Sequence, residues 1–86
     1  SYVPTEQAVV VFDNERRNNE LVKKMSQIID DGFTVCFWPK HIKHKDINDM
    51  ILNGFSSKYI EEVINSNKFS GLSAKMTLSD WSKVSG

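Results

Sequence analysis

Val9-Val10-Val11-Phe12-Asp13-Asn14-Glu15 decides how the rest of the chain is read: an unbroken apolar run, rich in β-branched residues, stops on two acids one residue apart. A run without polar alternation marks a strand covered by helices on both faces, as in parallel sheets. From residue 14 the spacing turns helical. Leu21, Val22, Met25, Ile28 and Ile29 share one face and Lys23, Lys24, Gln27, Asp30 and Asp31 the other, until Gly32 supplies a stop. Residues 33–38 form a second run, apolar except for Thr34 and closed by Pro39. Strand, helix and strand within about 30 residues make a βαβ unit with parallel strands. Both strands then end on one edge of the sheet, where ligands of open α/β sheets are held. The loop after Trp38 is therefore expected to hang over Asp13 and Glu15.

Further along, Lys45-Asp46-Ile47-Asn48-Asp49 forms a second polar knot on that edge. The spacing predicts a short helix over 46–53, with Asp46 as N-cap and Gly54 as stop, then a helix capped by Ser56 or Ser57 that buries Ile60, Val63 and Ile64. From residue 70 only a helical turn or two is expected. Residues 1–7, with Pro4 and no periodicity, read as a linker remnant, and 8–86 as a single α/β domain with a helical tail from about residue 55. A sheet of two strands would leave both edges open to another strand or to a second copy of the chain.

Composition narrows the classes. With 40% hydrophobic and 26% charged residues, the chain is a globular domain rather than a disordered segment. Its 86 residues allow a core of limited size. Eleven Lys and Arg balance eleven Asp and Glu, so contact with nucleic acid has to come from a local patch. The single cysteine, Cys36, excludes an internal disulfide and suits a reducing compartment, so the cytoplasm is expected. No apolar run approaches the roughly 20 residues of a membrane span. Ser1 stands where an initiator Met would, and the first strand follows almost at once, so a fragment of a longer polypeptide is expected.

Alternate residues leaving a strand point to the same side, so Asp13 and Glu15 can reach one ion, and hard oxygen donors of this kind suit Mg²⁺ or Mn²⁺. Asp46, Asn48 and Asp49 would complete or tune that site. The competing reading is structural, with both acid groups serving as helix caps. Between the knots, Lys40, Lys43 and Lys45 alternate with His41 and His44, and Arg16 and Arg17 stand near the same edge. These cations could grip phosphates or simply face water. An H-x-x-H zinc site built on His41, His44 and Cys36 is disfavoured, since no fourth ligand accompanies them. Trp38 and Trp81 could stack on bases, but their expected place is the core.

The V-V-V-F-D-N-E run, the helix and second strand after it, and the K-D-x-N-D turn resemble the carboxyl part of a Toprim domain. That module serves phage and bacterial-type DNA primases and the type IA and II topoisomerases, and the likeness, over about 9–52, is greatest to primases of large tailed bacteriophages. Glu15 stands where a second aspartate is usual, Arg16-Arg17-Asn18 replace small residues, and Ile47 takes the place of a proline. The resemblance implies a Toprim-like, Rossmannoid parallel sheet, here incomplete. It also implies Mg²⁺ held by Asp13, Glu15, Asp46 and Asn48, with Asp49 one residue beyond, for nucleotidyl transfer. The parent protein would then take a DNA template and nucleoside triphosphates as partners, a replicative helicase among its contacts, and work in the host cytoplasm if phage-encoded. The family's catalytic glutamate lies on an earlier strand, so the isolated chain is expected to be inactive. Two other readings stay open: a non-catalytic α/β interaction module, and a piece of another Toprim enzyme such as a topoisomerase or nuclease.

Overall fold

The computed structural model describes residues 9–83. The expected linker over 1–7, Ala8 and residues 84–86 lie outside the described residues. Seven elements follow in order: β1 (Val9–Val11), α1 (Asn19–Asp30), β2 (Thr34–Cys36), α2 (Ile47–Leu52), α3 (Ser57–Ser66), β3 (Lys68–Phe69) and α4 (Gly71–Ser82). The fold is α/β, a small mixed sheet of order β1-β2-β3 flanked by helices. β1 and β2 are parallel, with Val10 beside Val35 and Val11 beside Cys36. β3 runs antiparallel to β2, with Val35 beside Phe69.

The apolar composition of β1 and β2 follows from burial on both faces. Val35 and Phe37 join Met25 and Ile29 of α1 and Ala74, Leu78 and Trp81 of α4 in one cluster, against which Val10 and Phe12 pack. Cys36 and Trp38 turn the other way, into a cluster with Ile42, Met50 of α2, and Ile60 and Val63 of α3, joined by Val9 and Val11. Alternate residues of each strand thus serve opposite cores, and Thr34, at the start of β2, is the one polar residue in either strand.

The chain does not enter α1 at residue 14, where helical spacing begins in the sequence. Residues 13–18 form a turn, with Glu15 N–H donating to the Asp13 carbonyl (2.9 Å) and Asn18 N–H to that of Glu15 (3.1 Å). The helix begins where the Asn18 side chain can accept from Leu21 N–H (3.1 Å). Gly32 ends α1 at φ +95°, with its own N–H on the Ile29 carbonyl and Phe33 N–H on that of Ile28. Gly54 ends α2 in the same way at φ +97°, its neighbour Phe55 reaching back to Met50. Both are Schellman closures, which need a residue at ease with positive φ.

Two expectations are corrected. The sheet has three strands rather than two: β3 covers the outer edge of β2, so that among the described residues the unpaired edges belong to β1 and to the two-residue β3. The stretch after residue 70 is a full helix of 12 residues rather than a turn or two. Lys75 of α4 donates to Ser26 Oγ (2.7 Å) and meets Asp30 (3.0 Å), fastening α4 to α1.

Candidate functional site at the strand ends

Asn14 ties the two polar knots together. Its backbone N–H donates to the Lys45 carbonyl (2.6 Å), and its side-chain amide donates to the carbonyls of Ile42 (2.8 Å) and His44 (3.1 Å). Residues 13–15 and 42–46 therefore lie side by side at the carboxyl edge of the parallel pair. A second set of bonds converges on the Trp38 carbonyl, which accepts from Arg16 Nη2 (2.7 Å) and Trp81 Nε1 (3.2 Å). Trp38 Nε1 in turn donates to the Phe12 carbonyl (2.8 Å). The Arg16 guanidinium lies 5.4 Å from the centre of the Trp81 ring, a cation–π contact, and its burial there lowers its pKa. Both tryptophans are core residues, so neither offers a face to a base.

The carboxylates differ in what occupies them. Asp46 accepts from Asp49 N–H (2.8 Å) and caps α2, as the spacing predicts. Asp49, in the first turn of α2, takes the Asn53 amide on Oδ1 (3.2 Å) and on its carbonyl (2.7 Å). Asn48 is exposed on α2. Glu15 meets Lys45 at 3.6 Å and Asn18 Nδ2 at 3.4 Å, while Asp13 is exposed. Among the described residues no three His, Cys, Asp or Glu side chains converge on a common metal position. The oxygen donors match Mg²⁺ in kind. That ion takes one or two carboxylates, fills its octahedron with water and substrate phosphates, and does not require a protein cage.

Beside these acids lies a cleft of about 760 Å³, lined by Asn14, Glu15, Arg16, Arg17, Asn18, Lys40, Ile42, Lys43 and Lys83. Five cationic side chains thus face it against one carboxylate. Arg16, Arg17, Lys40 and Lys43, candidates from the sequence, come together here. Lys45 is instead engaged by Glu15, and Lys83, at the C-terminal end of α4, is a member that the sequence pattern does not reveal. Only the full length of α4 carries Lys83 to this edge.

Cys36, His41 and His44 do not form a metal site. Cys36 is buried in the core, which pushes its thiol up to about 12. His41 meets the Tyr59 hydroxyl (3.3 Å), and His44 packs edge-on against Phe55. Among the described residues, two buried polar side-chain atoms, Asn14 Oδ1 and His44 Nδ1, have no hydrogen-bond partner.

No family model matches the chain. A DNA primase of Enterobacteria phage T4 is 42% identical to it over 78 residues, an alignment covering 88% of this chain. The chain is similar to part of a phage DNA primase. It spans 23% of the length of that relative. Among the described residues no helix is long and apolar enough to cross a membrane.

Proposed function

We propose that this chain is a piece of a DNA primase, and that the cleft at its strand ends holds the phosphates of a nucleotide or template beside a Mg²⁺ or Mn²⁺ site. The observation that carries this reading is the cleft's charge, five cations against one carboxylate in a chain of zero formal net charge. The likeness to a phage primase supports it. In the whole protein the reaction would be synthesis of short RNA primers on DNA by nucleotidyl transfer. A bound divalent ion would supply positive charge to the oxygens of the transferring phosphoryl group. Arg17, Lys40, Lys43 and Lys83 would bind phosphate oxygens. Arg16, held on the Trp38 carbonyl, would fix the turn that carries Asp13 and Glu15. Those two carboxylates would be the metal's protein ligands, with Asp46, Asn48 and Asp49 shaping the adjoining edge.

The competing reading, a non-catalytic interaction module, is favoured by one observation: Asp46 spends its carboxylate on the α2 cap. Amide spectra of the chain titrated with inorganic tripolyphosphate, with and without Mg²⁺, separate the two. The primase reading expects shifts over residues 14–18 and 40–45 that Lys40→Ala and Lys43→Ala weaken, and further shifts near Asp13 and Glu15 when metal is added. Unmoved resonances at millimolar tripolyphosphate and Mg²⁺ would leave the interaction module standing.

A further inference from the structure

The loop over residues 40–45 has two sides. Lys40 and Lys43 face the cationic cleft, whereas His41 and His44 reach toward α3. There they join a row of rings. His44 packs edge-on against Phe55 at 4.9 Å, Phe55 against Tyr59 at 5.5 Å, and the Tyr59 hydroxyl meets His41 Nε2 at 3.3 Å. Tyr59 is 40% exposed, and His41 is exposed beside it. Single exposed aromatics are ordinary. A row of three rings fixed edge to face, with a fourth joined by a hydrogen bond and with lysines at its border, has a geometry of its own.

We propose that this row is a stacking platform for the bases of single-stranded DNA, with the strand's phosphates held across the loop by Lys40 and Lys43. This rests on reading the chain as a primase fragment, and it names the strand and the face that meets it. Three observations carry the inference. The Tyr59 ring is held by Phe55 on one edge and His41 at its hydroxyl, so a base meeting it need not pay for ordering the side chain. Aromatic faces beside a cationic groove are the combination by which proteins hold single strands without reading sequence. The cations of the cleft lie one residue to either side of His41 and Ile42 along the loop, so one strand crossing it meets both surfaces. Charge complementarity favours a nucleic acid over an apolar partner. Along α3, Glu62 lies one turn beyond Tyr59 with Lys58 four residues before it, and Glu61, two residues beyond Tyr59, does not share its face.

The test is fluorescence anisotropy of a labelled short oligo(dT) strand titrated with the 86-residue chain, alongside an abasic strand of equal length. Stacking predicts that the chain prefers oligo(dT) to the abasic strand. Tyr59→Ala should then weaken oligo(dT) binding by roughly 5- to 150-fold, the loss of stacking on one base, and leave abasic binding unchanged. Tyr59→Phe should retain the preference, and His41→Ala, a second route to loosening the ring, should reduce it. Lys40→Ala and Lys43→Ala should weaken both strands alike and lower the salt dependence. Equal binding of the two strands, insensitive to Tyr59→Ala yet sensitive to Lys40→Ala, would overturn the platform and leave the phosphate cleft intact. No binding of either strand, with no tripolyphosphate shifts, would overturn both.

Discussion

Asn14 holds the two halves of the candidate site in register, and replacing it gives a test of that architecture. Its amide donates to the carbonyls of Ile42 and His44 from a partly buried position, and Asn14→Ala removes both bonds. At about 1 kcal/mol each the loss would be about 2 kcal/mol. The truncation also removes the buried, unpartnered Oδ1, which offsets part of it. A net 1–2 kcal/mol is expected, or a fall in Tm of about 4–16 °C for a domain of this size. Asn14→Asp keeps the shape and reverses the chemistry, since a carboxylate oxygen would face two carbonyls with no proton to give. That raises the variant carboxyl's folded-state pKa above its unfolded value. The carboxyl's contribution to stability is then present at pH below the unfolded value and lost as pH rises through the folded one. The Asp variant should therefore lie closest to wild type in acid and fall behind Asn14→Ala near pH 7. The buried Trp38 and Trp81 supply the fluorescence signal for urea unfolding at several pH values. An Asp variant as stable as wild type at pH 7, and weakened by acid, would refute the reasoning: the cleft's cations, not the carbonyls, would then govern position 14.

Two further outcomes are expected. Gly54→Ala meets no atom within 4 Å, so its effect isolates the positive φ of the α2 closure, about 1–2 kcal/mol of destabilisation in urea melts; a change within error would show that the closure relaxes. Burial raises the Cys36 thiol from 9.0 to about 12, so folding stability should decline as pH climbs between those values, where only the unfolded chain ionises. Cys36→Ala should remove that portion of the alkaline decline, and a wild-type thiol that reacts with an alkylating agent as fast as an unfolded one would contradict its burial.

The sheet's two apolar runs are legible in the sequence because each strand serves two cores, which leaves Thr34 as the one polar residue within either strand. α2 and α3 are legible through their ends, with Asp46 and Ser56 accepting from the third residue on and Gly54 closing the turn. β3 is not, because it is two residues long and exists by virtue of the β2 edge it pairs with. α4 hides its period: Leu72 and Met76, one turn apart, are exposed at 76% and 64%, while the buried stripe is Ala74, Leu78 and Trp81. That misread helix in turn hid Lys83. The cations of the 40–45 loop stand out because they cluster locally. The engagement of Arg16 does not, because its partners, the Trp38 carbonyl and the Trp81 ring, are remote in sequence.

The five acidic or amide candidates for the metal are not equally available, and their present partners rank them. Asp46 caps α2, a role whose removal costs about 0.5–2 kcal/mol, and the helix it starts carries Met50 into the core. Asp49 is joined to Asn53 on that same helix. Glu15 gives up less: its pairing with Lys45 spans 3.6 Å between an exposed ammonium and a half-buried carboxylate open to solvent screening, worth about 1 kcal/mol. Asp13 is exposed. An ion recruited to this edge would therefore draw on Asp13 and Glu15 first and leave the α2 cap in place. Taking Glu15 would also free the Lys45 ammonium beside a cleft that already carries five cations. On the proposed reading, Glu15 and Lys45 neutralise each other until metal and phosphate arrive, and then each takes a new partner of opposite charge, so that binding of the two ligands is mutually reinforcing.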